Sequence, residues 1–234
     1  MRINKYISET GYCSRREADK LVESGKVTIN GVQAVLGSQA EEGDDVRING
    51  QPLQSKKETH VYIALNKPVG ITSTTEQHIK GNIVDFVGHS ERIFPIGRLD
   101  KDSEGLILLT SDGDIVNKIL RAEGKHEKEY IVTVDKPVTP SFLTGMSSGV
   151  KILGEMTLPC KVTRISERVF KIILTEGKNR QIRRMCSAFG YEVRRLQRIR
   201  IMNIHLGPLG KGKWRDLTPQ EKEELGQLLN YRLG

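Results

Sequence analysis

The chain has few cysteines, and its sequence contains nothing typical of a membrane or export segment. The three cysteines, Cys13, Cys160 and Cys186, stand far apart among 234 residues and form no C-x-x-C pair. Neither a disulfide framework nor a zinc site is therefore indicated. No segment contains the roughly 20 consecutive apolar residues of a membrane span, and the first residues lack the apolar run of a signal peptide. These absences predict a cytoplasmic protein without a membrane partner.

Aromatic residues and metal-binding patterns are also scarce. Phenylalanine, tyrosine and tryptophan make up 5% of the chain, with a single tryptophan, which argues against an extended platform for stacking bases. The five histidines show no metal-ligand spacing. The Walker pattern G-x-x-x-x-G-K-[ST] is missing, which excludes a P-loop nucleotide site.

Positive charge is present in excess and is concentrated in one segment. The formal net charge is +8. Residues 178–200 contain eight lysines and arginines and one acid, whereas residues 1–54 contain seven against eight. Such a segment is either a solvated basic helix face or a surface that binds phosphates, and the eight-to-one imbalance favours phosphate binding. The sequence therefore predicts a polyanionic partner.

The first 54 residues predict a small helix–helix–sheet module. Residues 2–8 form a short helix, and Ser14 with Glu17 forms a capping box that opens a second helix ending near Ser24. Residues 27–29 and 46–48 read as strands, and each is followed by an Asn-Gly pair typical of a tight hairpin turn. Arg15, Arg16 and Lys20 cluster on the second helix.

A polar segment, residues 55–60, predicts a linker to a larger α+β domain at residues 61–234. Strands follow one another there more often than they alternate with helices, which favours a mixed, mainly antiparallel sheet flanked by helices and loops. The predicted strands are 61–65, 105–109, 128–134, 158–165, 169–175 and 193–205 with a break, and the predicted helices are 114–121, 140–147, 179–189 and 219–229.

The densest polar cluster of the chain places Asp100, Asp102 and Glu104 at every second position before a glycine. This spacing resembles the first half of a calcium loop, but Ser111 stands where the bidentate glutamate is required. A two-metal phosphoryl-transfer site would need further carboxylates from elsewhere in the chain. Alternatively Asp100 alone is functional, because a carboxylate near an arginine such as Arg98 stays ionised, as a nucleophile must. A surface turn with scattered charges is the third interpretation.

Four segments together resemble the pseudouridine synthases that modify ribosomal RNA. They occur in that family's order and read L-N-K-P-V-G at 65–70, P-I-G-R-L-D at 95–100, K-E-Y at 128–130 and E-G-K-N-R-Q-I-R-R-M at 176–185. The first 50 residues resemble the small RNA-binding module named after ribosomal protein S4. This module precedes the catalytic domain in the branch that contains small-subunit synthase A and large-subunit synthases B, E and F, so the resemblance spans essentially the whole chain.

The resemblance implies a pseudouridine synthase fold and the isomerisation of a specific uridine in folded RNA. It implies large-subunit ribosomal RNA as the partner, with transfer RNA as a further candidate substrate. The reaction breaks the bond between uracil nitrogen and ribose, turns the base and rejoins it through a carbon. The uridine must first leave its stack, which is easiest in a loop or bulge. The resemblance implies no metal and no organic cofactor, and we expect a monomer.

The resemblance also implies roles for individual residues. Asp100 is the catalytic aspartate, which either attacks the anomeric carbon of the ribose or removes a ribose proton. Tyr130 stacks on the base, and Arg183 pairs with Asp100. Substrate-binding roles fall to Arg98 beside the flipped nucleotide, Leu174 as an apolar wall, Lys67 at the pocket rim, and the cations Arg180 and Arg184. In the N-terminal module, Arg15, Arg16 and Lys20 contact RNA phosphates.

Two rival functions remain open from the sequence. The first is a ribosomal RNA-binding assembly factor that uses the same scaffold without catalysis. The second is a metal-dependent nuclease built on Asp100, Asp102 and Glu104, which would lose activity with EDTA and would shorten the RNA.

Overall fold

A computed structural model describes residues 1–53, 59–121 and 125–234. A four-stranded sheet organises residues 1–53, here called the N-terminal module, and a nine-stranded sheet organises residues 59–121 and 125–234, here called the body. Most of the predicted linker, residues 55–58, lies outside the described residues. Across the described ranges, no helix is long and apolar enough to cross a bilayer.

The N-terminal module confirms the predicted helix–helix–sheet arrangement. Ser14 caps the second helix in a complete capping box with Glu17. Asn30 and Asn49 both have positive φ, at 51° and 53°, as does the glycine after each, and this geometry closes the two predicted hairpins. An ion pair between Lys5 Nζ and Asp114 Oδ1 (3.0 Å) joins the first helix to the body. The elements are α1 (Ile3–Glu9), α2 (Arg15–Glu23), β1 (Val27–Ile29), β2 (Val32–Gln33), β3 (Val46–Ile48) and β4 (Gln51–Pro52), with strand order β2-β1-β3-β4.

The body contains eleven further strands and five further helices within the described residues. The strands are β5 (Tyr62–Lys67), β6 (Phe94–Pro95), β7 (Glu104–Thr110), β8 (Lys128–Val134), β9 (Lys151–Ile152), β10 (Glu155–Met156), β11 (Lys161–Ser166), β12 (Val169–Leu174), β13 (Val193–Ile201), β14 (Ile204–His205) and β15 (Trp214–Asp216). The helices are α3 (Ile83–Val87), α4 (Gly113–Leu120), α5 (Pro140–Ser147), α6 (Gln181–Ala188) and α7 (Pro219–Leu229).

The large sheet is mixed and mainly antiparallel, which confirms the predicted α+β class. Its strand order is β11-β12-β8-β13-β7-β5-β15, and β7 and β13 run parallel. Gly105 sits at this parallel contact with a φ of +106°, and a Cβ there would lie 2.2 Å from the Arg198 carbonyl oxygen. Only glycine therefore allows the two central strands to approach. This contact directly follows residues 96–103, which connect β6 to β7 and are here called the Asp100 loop.

Several boundaries differ from prediction for local reasons. The strand predicted from residue 158 begins at Lys161, and the helix predicted from residue 179 begins at Gln181, because Arg180 adopts the left-handed conformation. The elements that were not predicted are all short: α3, β2, β4, β6, β9, β10 and β15. Each is five residues or fewer, too short to show an apolar period in the sequence.

Candidate active site

A pocket of about 520 Å³ opens over the middle of the nine-stranded sheet. Its volume is within the range of sites for small molecules or single nucleotides. Its walls come from the Asp100 loop, from strands β8, β12 and β13, and from the loop that precedes α6. Five of the predicted site residues line it: Arg98, Asp100, Tyr130, Leu174 and Arg180.

The Asp100 loop is held by hydrogen bonds to the loop that follows β5. The Ser73 hydroxyl donates to the Leu99 carbonyl (2.8 Å) and accepts from the Leu99 amide (3.2 Å). On the other side of Asp100, the Gly70 amide donates to the Lys101 carbonyl (2.7 Å). The two neighbours of Asp100 in the chain are thus held by hydrogen bonds, while its own side chain remains 39% exposed at the pocket. The carboxylate is presented on a rigid support.

Lys67 lies beneath the pocket and not at its rim, which differs from the prediction. It is fully buried, and its Nζ donates to the carbonyl oxygens of Pro68 (2.9 Å) and Ile71 (2.8 Å). Burial lowers the pKa of Lys67 to about 8, although the nearby carboxylates of Asp102 and Asp100 oppose the shift. The side chain therefore shapes the loop that supports Asp100 and does not contact the pocket.

Arg180 connects two acids of the Asp100 loop. Its guanidinium forms a two-pronged contact with Asp102, at 3.0 Å from Nη1 to Oδ1 and 2.8 Å from Nη2 to Oδ2. The same Nη1 lies 3.4 Å from Asp100 Oδ2. The hydrogen bond from Arg180 holds the pKa of Asp102 below its usual value. Asp102 thus holds the Arg180 guanidinium beside Asp100 through two parallel hydrogen bonds, which is the favoured geometry for an arginine and a carboxylate.

Arg183 of α6 does not make the predicted pair with Asp100. The Arg183 Nη2 donates to the Asp102 carbonyl (2.9 Å) and to the Ser103 hydroxyl (3.1 Å), one step along the loop. Arg184 turns back to its own loop, where it donates to the Asn179 carbonyl and side chain. The cause is helical geometry: Arg180 caps the start of α6 and faces Asp100, whereas Arg183 lies one turn further on.

Tyr130 and Leu174 are placed by strand register. In the β8–β12 ladder Tyr130 stands opposite Ile172, and Leu174 stands opposite Lys128. Side chains two residues apart share a face of a sheet, so Lys128 and Tyr130 point to the same side. Tyr130 is partly exposed in the pocket and Leu174 is buried in its wall. The pair offers one aromatic and one aliphatic surface for a planar base.

The three acids of the predicted metal alternative do not converge. Glu104 has 5% side-chain exposure and contacts the Arg195 Nε at 2.6 Å and the Lys211 Nζ at 3.4 Å. Asp102 is held by Arg180. Within the described ranges, no group of three histidine, cysteine, aspartate or glutamate side chains could hold a metal ion. The donor set that the nuclease hypothesis requires is therefore occupied by the chain's own cations.

Sequence reasoning missed three residues of this region. Gln181 is buried; its Oε1 accepts from the Lys178 amide (3.0 Å) and its Nε2 donates to Glu176 (2.9 Å), which orders the loop before α6. Lys128 and Arg198 also line the pocket. Alternation along β8 from Tyr130 could have identified Lys128, whereas Arg198 needs the pairing of β13 with β8.

The predicted cations of the N-terminal module occupy a separate surface. Arg15, Arg16 and Lys20 are exposed on α2, whose opposite face buries Ala18 and Val22 in the module's core. The three side chains belong to a different sheet domain from the pocket.

Comparisons with protein families match both parts of the chain. Residues 61–188 match the family described as RNA pseudouridylate synthase, and residues 1–46 match the S4 domain. The pocket residues Arg98, Asp100, Tyr130, Leu174 and Arg180 all fall within the first of these ranges.

Comparisons with individual proteins agree with the family matches. The dual-specificity RNA pseudouridine synthase RluF of Escherichia coli K12 is 59% identical over 98% of this chain and 79% of its own length. The ribosomal large subunit pseudouridine synthase B of Bacillus subtilis 168 is 35% identical over 98% of this chain and 97% of its own length. A crystal structure of a pseudouridylate synthase matches with a TM-score of 0.71 at 30% identity, and covers 96% of this chain and 99% of that one.

Proposed function

The chain belongs to the RNA pseudouridylate synthase family, and from that membership we propose that it isomerises a specific uridine of folded large-subunit ribosomal RNA. The relative from Bacillus subtilis is named as a synthase for the large ribosomal subunit, which supports this substrate. The relative from Escherichia coli is named as dual-specificity, so transfer RNA is the second substrate class to test. Such substrates would place the enzyme in the cytoplasm.

Asp100 carries the proposal, because its partly exposed carboxylate lies on a fixed loop at the mouth of a nucleotide-sized pocket. There it would act on the ribose of a flipped uridine by one of two routes. Either the carboxylate attacks the anomeric carbon as the bond to uracil nitrogen breaks, or it removes a ribose proton while the base departs. In both routes the base then turns and rejoins the ribose through carbon five, whose proton is released.

The other pocket residues fit roles in holding the flipped nucleotide. We assign the stacking surface for uracil to Tyr130 and the opposite apolar wall to Leu174. Arg98 is exposed beside the Asp100 loop, where it would contact the phosphate of the nucleotide or fill the space that it leaves. Arg180 lies next to Asp100 and would hold its carboxylate in position.

Roles for the remaining predicted residues follow from their contacts. Arg183 would stabilise the Asp100 loop through Asp102 and Ser103. Arg184 would act on RNA only after leaving Asn179, and Lys67 would support the loop from beneath.

We further propose that residues 1–54 and 61–234 act as an S4-like RNA-binding domain and a catalytic domain of a monomer. Arg15, Arg16 and Lys20 would bind phosphates of the same RNA molecule. A tethered second binding site raises the effective concentration of the catalytic domain on its RNA. Matches of residues 1–46 and 61–188 to separate families support this division.

Tritium release tests the proposal. Wild-type protein and Asp100→Asn are incubated, with EDTA present, with unmodified ribosomal RNA and transfer RNA transcripts that carry tritium at carbon five of uracil. We expect stoichiometric release by wild type on ribosomal RNA and a rate at least about 10³-fold lower for the variant, since the reacting group is lost. The RNA should keep its length.

Two other outcomes would decide against the proposal. Tight binding of ribosomal RNA without release by either protein would indicate an assembly factor. RNA that is shortened in the absence of EDTA and intact in its presence would indicate the nuclease.

A further inference from the structure

Two cations of the pocket lie on the paired strands β8 and β13. Arg198 on β13 is directly opposite Tyr130 on β8, and Lys128 is two residues before Tyr130 on the same face. Both side chains line the pocket. Burial lowers the pKa of Lys128, and the positive charge of Arg198 lowers it further.

Neither cation has a carboxylate partner in the part of the chain that the structure describes. Arg198 is 3% exposed, and its Nε donates to the Leu106 carbonyl (2.7 Å). Among the described residues, its two Nη groups find no acceptor, and no carboxylate lies within ion-pair distance of Arg198 or Lys128. Arg200 and Arg215 of the body, by contrast, are half-buried and have acidic partners, Glu129 at 3.0 Å and Glu221 at 2.6 Å.

A buried cation beside a half-buried one, without a compensating charge, is costly for a fold. Active sites keep such cations despite this cost where the cations face a negative charge that develops during the reaction. In the isomerisation, the electron pair of the bond between uracil N1 and the ribose leaves with the base. The detached uracil therefore carries one negative charge, which is delocalised over N1, carbon five, O2 and O4.

We propose that Lys128 and Arg198 contact the carbonyl oxygens of the detached uracil and stabilise its negative charge. This inference rests on the proposed function. The charge persists while the base turns, and it disappears when carbon five bonds to the ribose, the carbon-five proton is lost to solvent and N1 is protonated. The two cations would thus act as catalytic residues in the interval between cleavage and rejoining.

The position of the pair favours the base over a phosphate as its partner. The cations at the mouth, Arg98 and Arg180, are exposed and suit the RNA backbone, which stays outside. Arg198 lies at the floor behind the Tyr130 surface, where a flipped base reaches furthest into the protein. A contact with the base in its charged state lowers the barrier, whereas a phosphate contact changes RNA affinity.

Single-turnover tritium release with saturating enzyme tests the assignment. Lys128→Met removes the charge and keeps an unbranched side chain, Lys128→Arg keeps the charge, and Lys161→Met removes an exposed lysine of the same sheet. We expect Lys128→Met to react about 100-fold more slowly with an RNA dissociation constant within about twofold of wild type. Lys128→Arg should recover at least about tenfold of the loss, and Lys161→Met should react at the wild-type rate. Thermal unfolding of each variant verifies that it is folded.

RNA with 5-fluorouridine at the target position provides a second test. The rate deficit of Lys128→Met would be the same on this RNA if Lys128 had only a structural role. Fluorine withdraws electrons, so the detached base is less basic and its negative charge needs less stabilisation. The rate deficit of Lys128→Met, measured as rearranged nucleoside by mass spectrometry, should therefore shrink at least about threefold on this RNA. An equal deficit on both RNAs would assign Lys128 a packing role.

The outcomes separate this inference from the proposed function. If wild type releases no tritium from any RNA, the proposed function is wrong and the inference falls with it. If wild type reacts and Lys128→Met reacts equally fast, the inference alone is wrong. A variant that loses affinity and keeps its rate would show that Lys128 holds a phosphate. Because the Arg198 Nε donates to the Leu106 carbonyl of β7, its replacement would remove a side-chain contact between the strands, and Lys128 is therefore the residue to vary.

Discussion

The cations of the N-terminal module and those of the body differ in what they contact. On α2 of the module, Arg15, Arg16 and Lys20 extend into solvent from a helix whose core face is formed by other residues. In the body, Arg180, Arg195 and Arg200 each form a hydrogen-bonded ion pair with an acid of a different element. One set is free to meet an external anion, and the other is already part of the framework.

This difference indicates two uses of positive charge in one chain. Under the proposed function, loss of the exposed cations of the module would change RNA affinity with little effect on the fold, because Arg15, Arg16 and Lys20 have no side-chain hydrogen bond or ion pair with any described residue. A change at the paired cations of the body shifts the loops that they connect, and Arg180 connects the loop that bears Asp100. The total of 37 lysines and arginines therefore overstates the number of cations that are available for binding RNA.

The largest effect in this comparison is expected when an acidic partner is removed at the pocket. Asp102→Asn weakens the two-pronged contact and releases the Arg180 guanidinium, which can then move toward Asp100, 3.4 Å away. A displacement of about 1 Å at a reacting group costs about 100-fold in rate. We expect the single-turnover rate to fall by about that factor, with the RNA dissociation constant within about threefold of wild type. Quench-flow tritium release and filter binding measure the two quantities.

A matched control exists in the module. Asp45 and Arg47 form an exposed pair at 2.9 Å, and Asp45→Asn weakens it without approaching the pocket. We expect no change of rate or affinity, since exposed pairs contribute little. If Asp102→Asn also reacts at the wild-type rate, the Arg180–Asp102 pair is only a surface ion pair and the proposed distinction between the two regions fails there.

Local sequence signals were sufficient for the module and for the central elements of the body. The Asn-Gly pairs at residues 30 and 49 and the capping box at Ser14 act within four residues, so they can be identified without the fold. The same is true of α5 and α7, which begin at prolines after threonine caps. The motif around Asp100 located the site, because its residues are contiguous in the chain.

Contacts between distant segments could not be predicted. Arg180 contacts Asp102, which is 78 residues away in the chain. The contact depends on the left-handed conformation of Arg180, which the local sequence does not predict. Lys128 and Arg198 line the same pocket because a strand from residues 193–201 pairs with β8. The contact of Arg183 with Asp102 and Ser103, where a pair with Asp100 was expected, also depends on how α6 lies against a distant loop.

A smaller effect is expected when the exposed cations of the module are removed together. Replacement of Arg15, Arg16 and Lys20 by glutamine should raise the RNA dissociation constant about tenfold, because up to three phosphate contacts are lost. The salt dependence of binding should also weaken, by about 0.7–0.9 in logarithmic slope for each contact. The single-turnover rate at saturating enzyme should stay within about twofold of wild type, since these residues do not line the pocket.

Three exposed cations on the β11–β12 edge provide a charge-matched control: Lys161, Arg164 and Arg168. Their replacement by glutamine removes the same charge from the chain and should weaken binding less than the α2 variant does. Equal losses of affinity would show that binding follows total charge, and a loss of single-turnover rate in the α2 variant would contradict the division of labour between the two domains.

The smallest effect concerns Lys67, the most enclosed cation of the body. Burial lowers its pKa in the folded protein to about 8, from an ordinary value of 10.5. Below pH 8 the amine is protonated in the folded and unfolded states, and the folded state bears the full cost of the buried charge. Between pH 8 and 10.5 the unfolded chain retains the proton while the folded chain releases it, so the contribution of Lys67 to the free energy of unfolding increases as pH rises.

Urea unfolding of wild type and Lys67→Met at several values between pH 7 and 9.5 measures this contribution. The absolute free energies also contain other titrations, so the informative quantity is the difference between the two proteins. That difference should move in favour of wild type with increasing pH, because only wild type loses a buried charge. Lys151→Met, which removes an exposed lysine, should show a constant difference. A constant difference for Lys67→Met as well would mean that the carboxylates near Lys67 compensate its burial, and the contrast between framework and solvent-exposed cations would then rest on geometry alone.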